Sequence, residues 1–316
     1  MQNDKTINPF VSVIIPNYCH AQYLDERIKS VLNQTYQNFE LIILDDCSPD
    51  CGASKKIIEQ YRSNPHVSQI IYNETNSGSP FKQWRKGIEL AKGEYVWIAE
   101  SDDSCEDSFL EQIIKMCIEN NAVMGFCTSA ILVETEDSLF VNHHKQNICD
   151  TDYVFEGRVF IHSHLLRGNE IRNISSAVFR KNVALNIDNQ YEEMKASGDW
   201  LFCIKMAEMG RVCFLKAPLN NFRRVDSCVT MKNMKDGYSY VEKLEVISYL
   251  YSNQHISLIE KVRIKMNTIF LFKNQAFINP KEKGYLLRLY DKYWLYRILY
   301  PAYLLYRYFC YKTIKL

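Results

Sequence analysis

Two apolar runs, each ending in a burst of carboxylates, constrain this chain more than any other feature. Tyr95-Val96-Trp97-Ile98-Ala99 leads into Glu100-Ser101-Asp102-Asp103, and Glu40-Leu41-Ile42-Ile43-Leu44 leads into Asp45-Asp46-Cys47-Ser48-Pro49-Asp50. A strand with one wet face would alternate apolar and polar residues. Near-continuous apolar runs instead read as strands of a parallel sheet covered on both faces. In open α/β sheets, ligands bind beyond the carboxyl ends of the strands. Two acidic clusters placed there repel each other unless a cation or a donor-rich ligand lies between them. The pattern therefore predicts a site for a divalent metal and a polar, phosphorylated ligand.

The flanking sequence keeps the same rhythm. Val11-Ser12-Val13-Ile14-Ile15 reads as the first strand, and Tyr23 to Asn33 as an amphipathic helix with Leu24, Ile28, Val31 and Leu32 on one side. After the strand Leu41 to Leu44 come a helix over Ser54 to Ser63, a strand over Val67 to Tyr72 and a helix over Phe81 to Ala91. The strand Tyr95 to Ala99 and a helix over Asp107 to Asn120 complete the series. Such βα alternation implies parallel strands joined by right-handed crossovers. From Val123 to Asn221 the pattern is mixed: strands are expected over Gly125 to Val133, Ser175 to Phe179 and Val212 to Leu215, with a helix over Trp200 to Met209.

Beyond Val229 the strand signals stop. Tyr238 to Ser252, Leu258 to Ala276 and Gly284 to Ile314 read as helices, the last kinked or ended at Pro301. The expected organisation is a sheet domain over residues 1–230 and a helical segment over 231–316. From Lys281 to Leu316 eight Lys and Arg face two Asp and Glu, a local net charge of +6. A basic, aromatic, amphipathic tail suits an anionic membrane surface; a helical cover for the core with solvated basic residues is the other reading.

Composition excludes several classes. Net charge over the 316 residues is +1, which predicts no nucleic-acid partner. The eleven cysteines have irregular spacings that match neither a zinc site nor a disulfide framework. Met1 to Pro9 is polar and reads as no secretion signal, so the expected compartment is the cytoplasm. No apolar run reaches the roughly 18–20 residues that span a bilayer.

Several segments, taken in order, resemble glycosyltransferase family 2. They are Val11 to Tyr18, Ser30 to Tyr36, Phe39 to Asp50, Asn76-Ser77-Gly78, Ala91 to Tyr95 and Glu100 to Asp103. The resemblance runs over roughly residues 10 to 230. It implies a GT-A fold, a Rossmann-like and mostly parallel sheet flanked by helices. It also implies transfer of a sugar from a nucleotide-sugar donor with inversion at the anomeric carbon. Mn²⁺ or Mg²⁺ would be the cofactor, because an all-oxygen shell with positions left for phosphate suits these ions.

The resemblance also carries expectations for single residues. Asp102 and Asp103 are the metal candidates; adjacent residues point different ways, so one would hold the ion and the other the donor's ribose. Glu100 stands first in the motif where the family has Asp, and its longer arm leaves its role open. Asp46 would accept the ring N–H of a uracil-like base. Asp45 or Asp50 would shape that pocket, and Pro16 and Asn17 would line it. Lys82 or Arg85 would face the diphosphate. Asp199, in Ala196-Ser197-Gly198-Asp199-Trp200-Leu201, corresponds to the family's general base, with helix capping as its other reading. Trp200 would pack on a sugar ring. The loop Phe222-Arg223-Arg224-Val225-Asp226-Ser227 resembles one that often carries a His near Val225. Asp226 would substitute for it, Arg223 or Arg224 would neutralise the diphosphate, or water would complete the shell. Nothing ties His143, His144, His162 or His164 to the acidic loop.

The expectation is an inverting glycosyltransferase, with Asp199 as base, using a UDP-sugar by preference. It would add a sugar to a glycan or lipid-linked acceptor of the cell surface, peripheral on the inner membrane face. A catalytically inactive GT-A binding protein and a nucleotidyltransferase are the alternatives. The second would carry a Gly-rich basic loop after the first strand, and Asn17-Tyr18-Cys19-His20 is not one.

Overall fold

The computed structural model describes residues 8–135, 138–142, 148–224, 238–254, 256–273 and 301–305. The chain divides into two compact units: Met1–Met194 with Gly198–Val225, and Lys195–Ser197 with Asp226–Leu316.

The first unit is a three-layer α/β structure. Its chain order opens with β1 (Val11–Asn17), α1 (Ala21–Leu32), β2 (Phe39–Asp45), α2 (Ala53–Ile58), β3 (Val67–Tyr72), α3 (Pro80–Leu90) and β4 (Tyr95–Ile98). A short β5 (Ser104–Cys105) and α4 (Phe109–Glu119) follow, then β6 (Met124–Thr135), β7 (Ser138–Asn142), β8 (Tyr153–Phe155) and α5 (Gly157–Phe160). The unit closes with β9 (Ala177–Arg180), α6 (Lys181–Asn186), α7 (Gly198–Glu208) and β10 (Val212–Arg224). The described strands form one sheet in the order β3-β2-β1-β4-β9-β6-β10-β5, with β7 beside β6 and β8 beside β10.

The apolar runs became strands because burial on both faces is the only arrangement that removes every side chain from water. All residues of β1, β2 and β4 are buried. Each such aliphatic side chain contributes on the order of 1.5–3 kcal/mol. The half built from β3, β2, β1 and β4 is parallel, whereas β9 runs antiparallel to both β4 and β6. β10 is parallel to β6, and β5 is antiparallel to β10.

Register decides where the strand tips fall. Asn17 of β1 lies opposite Asp45 of β2, and Ile14 lies opposite Ile98 of β4. The three tips therefore deliver Asn17, Asp45-Asp46 and Glu100 to Asp103 to one end of the sheet. At the other end, Gly93 lets backbones meet: a Cβ there would lie 2.5 Å from the Ser12 nitrogen. The Gly93 N–H donates to Ser12 Oγ at 2.8 Å, and that hydroxyl donates to buried Glu40 at 2.7 Å.

The sequence expectation left out β5, β7, β8, α5 and α6, and its other differences are at edges. The helix expected to Ser63 ends at Ile58 and passes into one 3₁₀ turn, Glu59–Tyr61. The strand expected to stop at Leu215 continues to Arg224, with register irregularities around Pro218. In the second unit, α8 (Tyr238–Asn253) and α9 (Leu258–Lys273) are helical, as are residues 301–305. The rest of the helix expected over Gly284 to Ile314 lies outside the described residues. Within this unit, buried Glu242 accepts the backbone N–H groups of Lys195, Ala196 and Ser197 at 2.6, 2.7 and 2.8 Å.

Candidate active site

The three predicted patches meet through four consecutive residues, Phe81 to Trp84, at the start of α3. Gln83 Nε2 donates to Asp46 Oδ1 at 2.9 Å, and Trp84 Nε1 donates to Glu100 Oε1 at 2.6 Å. The ring of Phe81 lies where a Cβ on Gly198 would come within 2.6 Å of it, so only glycine fits beside Asp199. One helical turn thus touches the β2 tip, the β4 tip and the start of α7. Two further stitches join the β1 tip to its neighbours: Cys19 N–H to Ser48 Oγ at 2.9 Å, and His20 Nδ1 with Ser101 Oγ at 2.9 Å. Cys19, Cys47 and Cys51 all have φ between 55° and 59°. Left-handed backbone at non-glycine residues is strained and clusters where loops are held for a purpose.

The acidic loop holds three carboxylates in different surroundings. Burial, and next the nearby Asp102, push Glu100 up to about 8. Burial likewise raises Asp102 and Asp103. Asp103 is 1% exposed, and protein donors take both its oxygens. Oδ1 accepts Arg223 N–H at 3.0 Å, and Oδ2 accepts Asn173 Nδ2 at 2.9 Å and Ser175 Oγ at 2.6 Å. The Asp102 side chain is 20% exposed, with Oδ1 4.0 Å from His20 Nδ1. Of the two carboxylates expected at the metal, Asp102 is the one that faces outward; Asp103 braces the loop from within.

Arg27 explains how three acids tolerate one another. Its side chain is fully buried, its Nε donates to the Glu100 carbonyl at 2.8 Å, and its guanidinium lies 5.4 Å over the Trp97 ring. Nη2 is 4.0 Å from Asp103 Oδ2, and neither Nη1 nor Nη2 has a hydrogen-bond partner among the described residues. A buried guanidinium beside crowded carboxylates is a built-in countercharge. The hard oxygen donors of Asp102 fit Mn²⁺ or Mg²⁺. Among the described residues no group of three or more His, Cys, Asp or Glu side chains is arranged to hold a metal ion. Phosphate oxygens and water would have to supply much of any shell.

The residues expected at the base pocket are similarly pre-paired. Asn17 Nδ2 donates to Asp45 Oδ1 at 2.7 Å and to Ser54 Oγ at 3.0 Å, and Ser48 donates to both Asp45 oxygens. Asp50 accepts Ser54 and Gly52. Asp46 already accepts Asn73, Asn76, Ser77 and Gln83, so it shapes the loop after β3. Pro16 is buried within β1.

Other expected residues lie as follows. Lys82 is exposed on α3; Arg85 is bound to Glu89 and to the Leu185 carbonyl. Asp199 is in the first turn of α7, with Oδ2 accepting Asn169 Nδ2 at 2.9 Å. Trp200 does not face a sugar: it is 4% exposed, and its Nε1 donates to the Leu165 carbonyl, because its side of α7 points into the core. Arg223 donates to Glu26 at 2.7 Å and to the Asp102 carbonyl at 3.1 Å, and stacks 4.5 Å over Tyr23. Val225, Asp226, His143 and His144 lie outside the described residues.

Sequence reasoning missed Arg27, Trp84, Asn173 and Ser175. Arg27 had a signal: it falls on the apolar side of α1 with Tyr23, Leu24, Ile28 and Val31. A lone Arg in such a stripe needs an anion.

The profile of the family described as "Glycosyl transferase family 2" matches residues 12–177. The poly(ribitol-phosphate) beta-N-acetylglucosaminyltransferase TarP of Staphylococcus aureus is 36% identical over 114 residues, which is 35% of this chain and 34% of TarP. The glycosyltransferase GlyG of Streptococcus pneumoniae is 33% identical over 116 residues, 37% of this chain and 38% of GlyG. The matched segments thus span well under two thirds of these curated relatives. Among solved structures, S. aureus TarS in complex with UDP-GlcNAc superposes with a TM-score of 0.62 at 21% identity, over 82% of this chain and 71% of that one. The mannosyltransferase PcManGT from Pyrobaculum calidifontis, in complex with GDP-Man and Mn²⁺, gives 0.57 at 15% identity, over 95% and 86%. At these identities the likeness establishes the fold, which is GT-A.

Proposed function

The chain belongs to glycosyl transferase family 2, and on that premise we propose that it moves a sugar from a nucleoside-diphosphate sugar, a UDP-sugar by preference, onto a hydroxyl of a glycan or lipid-linked acceptor. The observation that carries this reading is the first turn of α3, which ties Asp46, Glu100 and the Gly198-Asp199 step together. The UDP-GlcNAc bound by TarS and the GDP-Man bound by PcManGT support a nucleotide-sugar donor.

In the proposed reaction the acceptor oxygen attacks the anomeric carbon from the face opposite the diphosphate. The bond from that carbon to the diphosphate oxygen breaks, and the nucleoside diphosphate leaves with inversion. Asp199 takes the acceptor's proton as its oxygen becomes nucleophilic. Asn169 holds one oxygen of that carboxylate, which fixes its direction. Asn17 and Asp45 shape the base pocket, and Lys82 stands at the surface of α3 as a diphosphate contact. Asp102 would hold a divalent cation, Mn²⁺ or Mg²⁺. When bound, that ion neutralises charge developing on the diphosphate. Arg223 holds the acidic loop against α1 through Glu26 and Tyr23.

The same reading places the protein in the cytoplasm at the inner membrane face, in synthesis of a surface polysaccharide. The basic tail supports it, and no described helix is long and apolar enough to cross a membrane. A thermal-shift screen of UDP-, GDP- and dTDP-sugars, with and without Mn²⁺, tests the donor. Ligand at a hundredfold excess over its dissociation constant raises stability by about 2.7 kcal/mol. A UDP-sugar that stabilises and is then hydrolysed slowly to UDP is the expected result. Stabilisation with no turnover on any acceptor makes the chain an inactive binding protein, and no stabilisation by any sugar nucleotide refutes the reading.

A further inference from the structure

We propose that Glu242, on α8, is a positioning residue for the transfer reaction: it fixes the backbone that leads into Asp199 and so sets where that carboxylate points. This rests on the reading of Asp199 as the base.

Glu242 lies on the buried side of α8, one and two turns before Val246 and Leu250, and is 7% exposed. A carboxylate in that position costs free energy unless donors meet it. The donors are three successive backbone N–H groups. Oε1 accepts that of Lys195 at 2.6 Å, and Oε2 accepts those of Ala196 and Ser197 at 2.7 and 2.8 Å. Successive N–H groups turned to one side make a concavity that holds an anion, and charge-assisted bonds of this kind are roughly twice as strong as neutral ones. Residues 195–197 belong to no helix or strand of their own, and α7 begins at the next residue, Gly198.

Gly198 is closed in as well. A Cβ there would lie 2.6 Å from the Phe81 ring and 2.6 Å from the Tyr191 carbonyl oxygen. Asp199 follows, half-buried, with its Oδ2 held by Asn169. Asn169 thus turns the carboxylate, while Glu242 anchors the three peptide groups just before the turn from which it projects. Misplacing a reacting group by about 1 Å can cost on the order of 10²-fold in rate. Slack at residues 195–197 therefore passes along the chain into the proton-transfer step.

The test follows hydrolysis of radiolabelled UDP-, GDP- and dTDP-sugars with Mn²⁺, water serving as acceptor. It uses the full chain as wild type, Glu242→Gln, Asp199→Asn and the double variant. Glutamine turns an NH₂ toward N–H groups that Oε2 had satisfied. Glu242→Gln should lower kcat by up to about 10²-fold with the donor KM unchanged. Hydrogen–deuterium exchange should speed up at the amides of residues 195–197, while amides elsewhere keep their protection. In the Asp199→Asn background the same change should cost nothing more, because a residue that acts through the base has nothing left to position. Glu242→Asp keeps the charge on a shorter arm and should recover part of the rate; it replaces Glu242→Gln throughout if that variant does not fold. A wild-type kcat in the Glu242 variants, an equal loss in both backgrounds, or a retained rate in Asp199→Asn overturns the proposal. If the wild type hydrolyses none of the sugar nucleotides, the donor reading falls and the proposal with it. If Asp199→Asn is impaired and the Glu242 variants are not, the proposal falls alone.

Discussion

At the scale of single residues, the site depends on carboxylates given different work by their surroundings. Asp199→Asn keeps the side chain's size and its contact with Asn169 but cannot take a proton. Donor affinity should be unchanged and kcat should fall about 10²–10⁴-fold, measured as UDP release with acceptor; a retained rate would move the base elsewhere. Glu100 makes a different prediction. Its acid form is favoured up to about pH 8 in the folded protein, against an ordinary value of 4.5. The folded state therefore binds the proton more tightly than the unfolded chain, and this contribution to stability is lost as pH rises from 4.5 to 8. In EDTA, Glu100→Gln should flatten the fall in unfolding free energy over that window, as read by urea denaturation at pH 5 and pH 8.5. Equal slopes for both proteins would show that Glu100 ionises normally.

At the scale of elements, α3 is the organiser. Its residues Phe81, Gln83 and Trp84 are buried, and each meets a different part of the site. Trp84→Phe keeps the packing against Phe81 and Phe202 but removes the donor to half-buried Glu100. The cost should be about 1–3 kcal/mol in urea unfolding, with weaker donor binding, because the loop bearing Asp102 loses a tie. A variant of full stability and full donor affinity would show that the β4 tip is held by other means. α1 contributes in the same manner through Arg27: a helix selected for packing also delivers the cation that the β4 tip requires. The sequence made both helices legible through their 3.6-residue periodicity. Their polar contacts were not legible, since periodicity reports which side is buried and not what the buried side touches.

At the scale of the whole molecule, a parallel half-sheet aligns three strand tips, and the mixed half carries Asn173, Ser175 and Arg223 back to them. The second unit grips its own piece of the chain, Lys195–Ser197, through Glu242. The membrane reading belongs here. Deleting Gly284 to Leu316 should lower co-sedimentation with anionic liposomes and leave binding to neutral liposomes little changed. Equal partition before and after deletion removes the membrane role.

What the sequence determined by itself was the pattern: which runs must be strands, where each ends, and that carboxylates gather at the ends. Those features follow from local periodicity and from the near-impossibility of leaving apolar runs in water. Only the tertiary structure decided which carboxylate faces outward. Asp102 and Asp103 are adjacent and chemically alike, and the sequence offered both for the metal. The difference comes from Asn173, Ser175 and Arg223, which lie 70 or more positions away and, of the two carboxylates, hydrogen-bond that of Asp103. Hydrogen-bond competition of that kind is set by three-dimensional neighbours, so it leaves no trace in the order of residues.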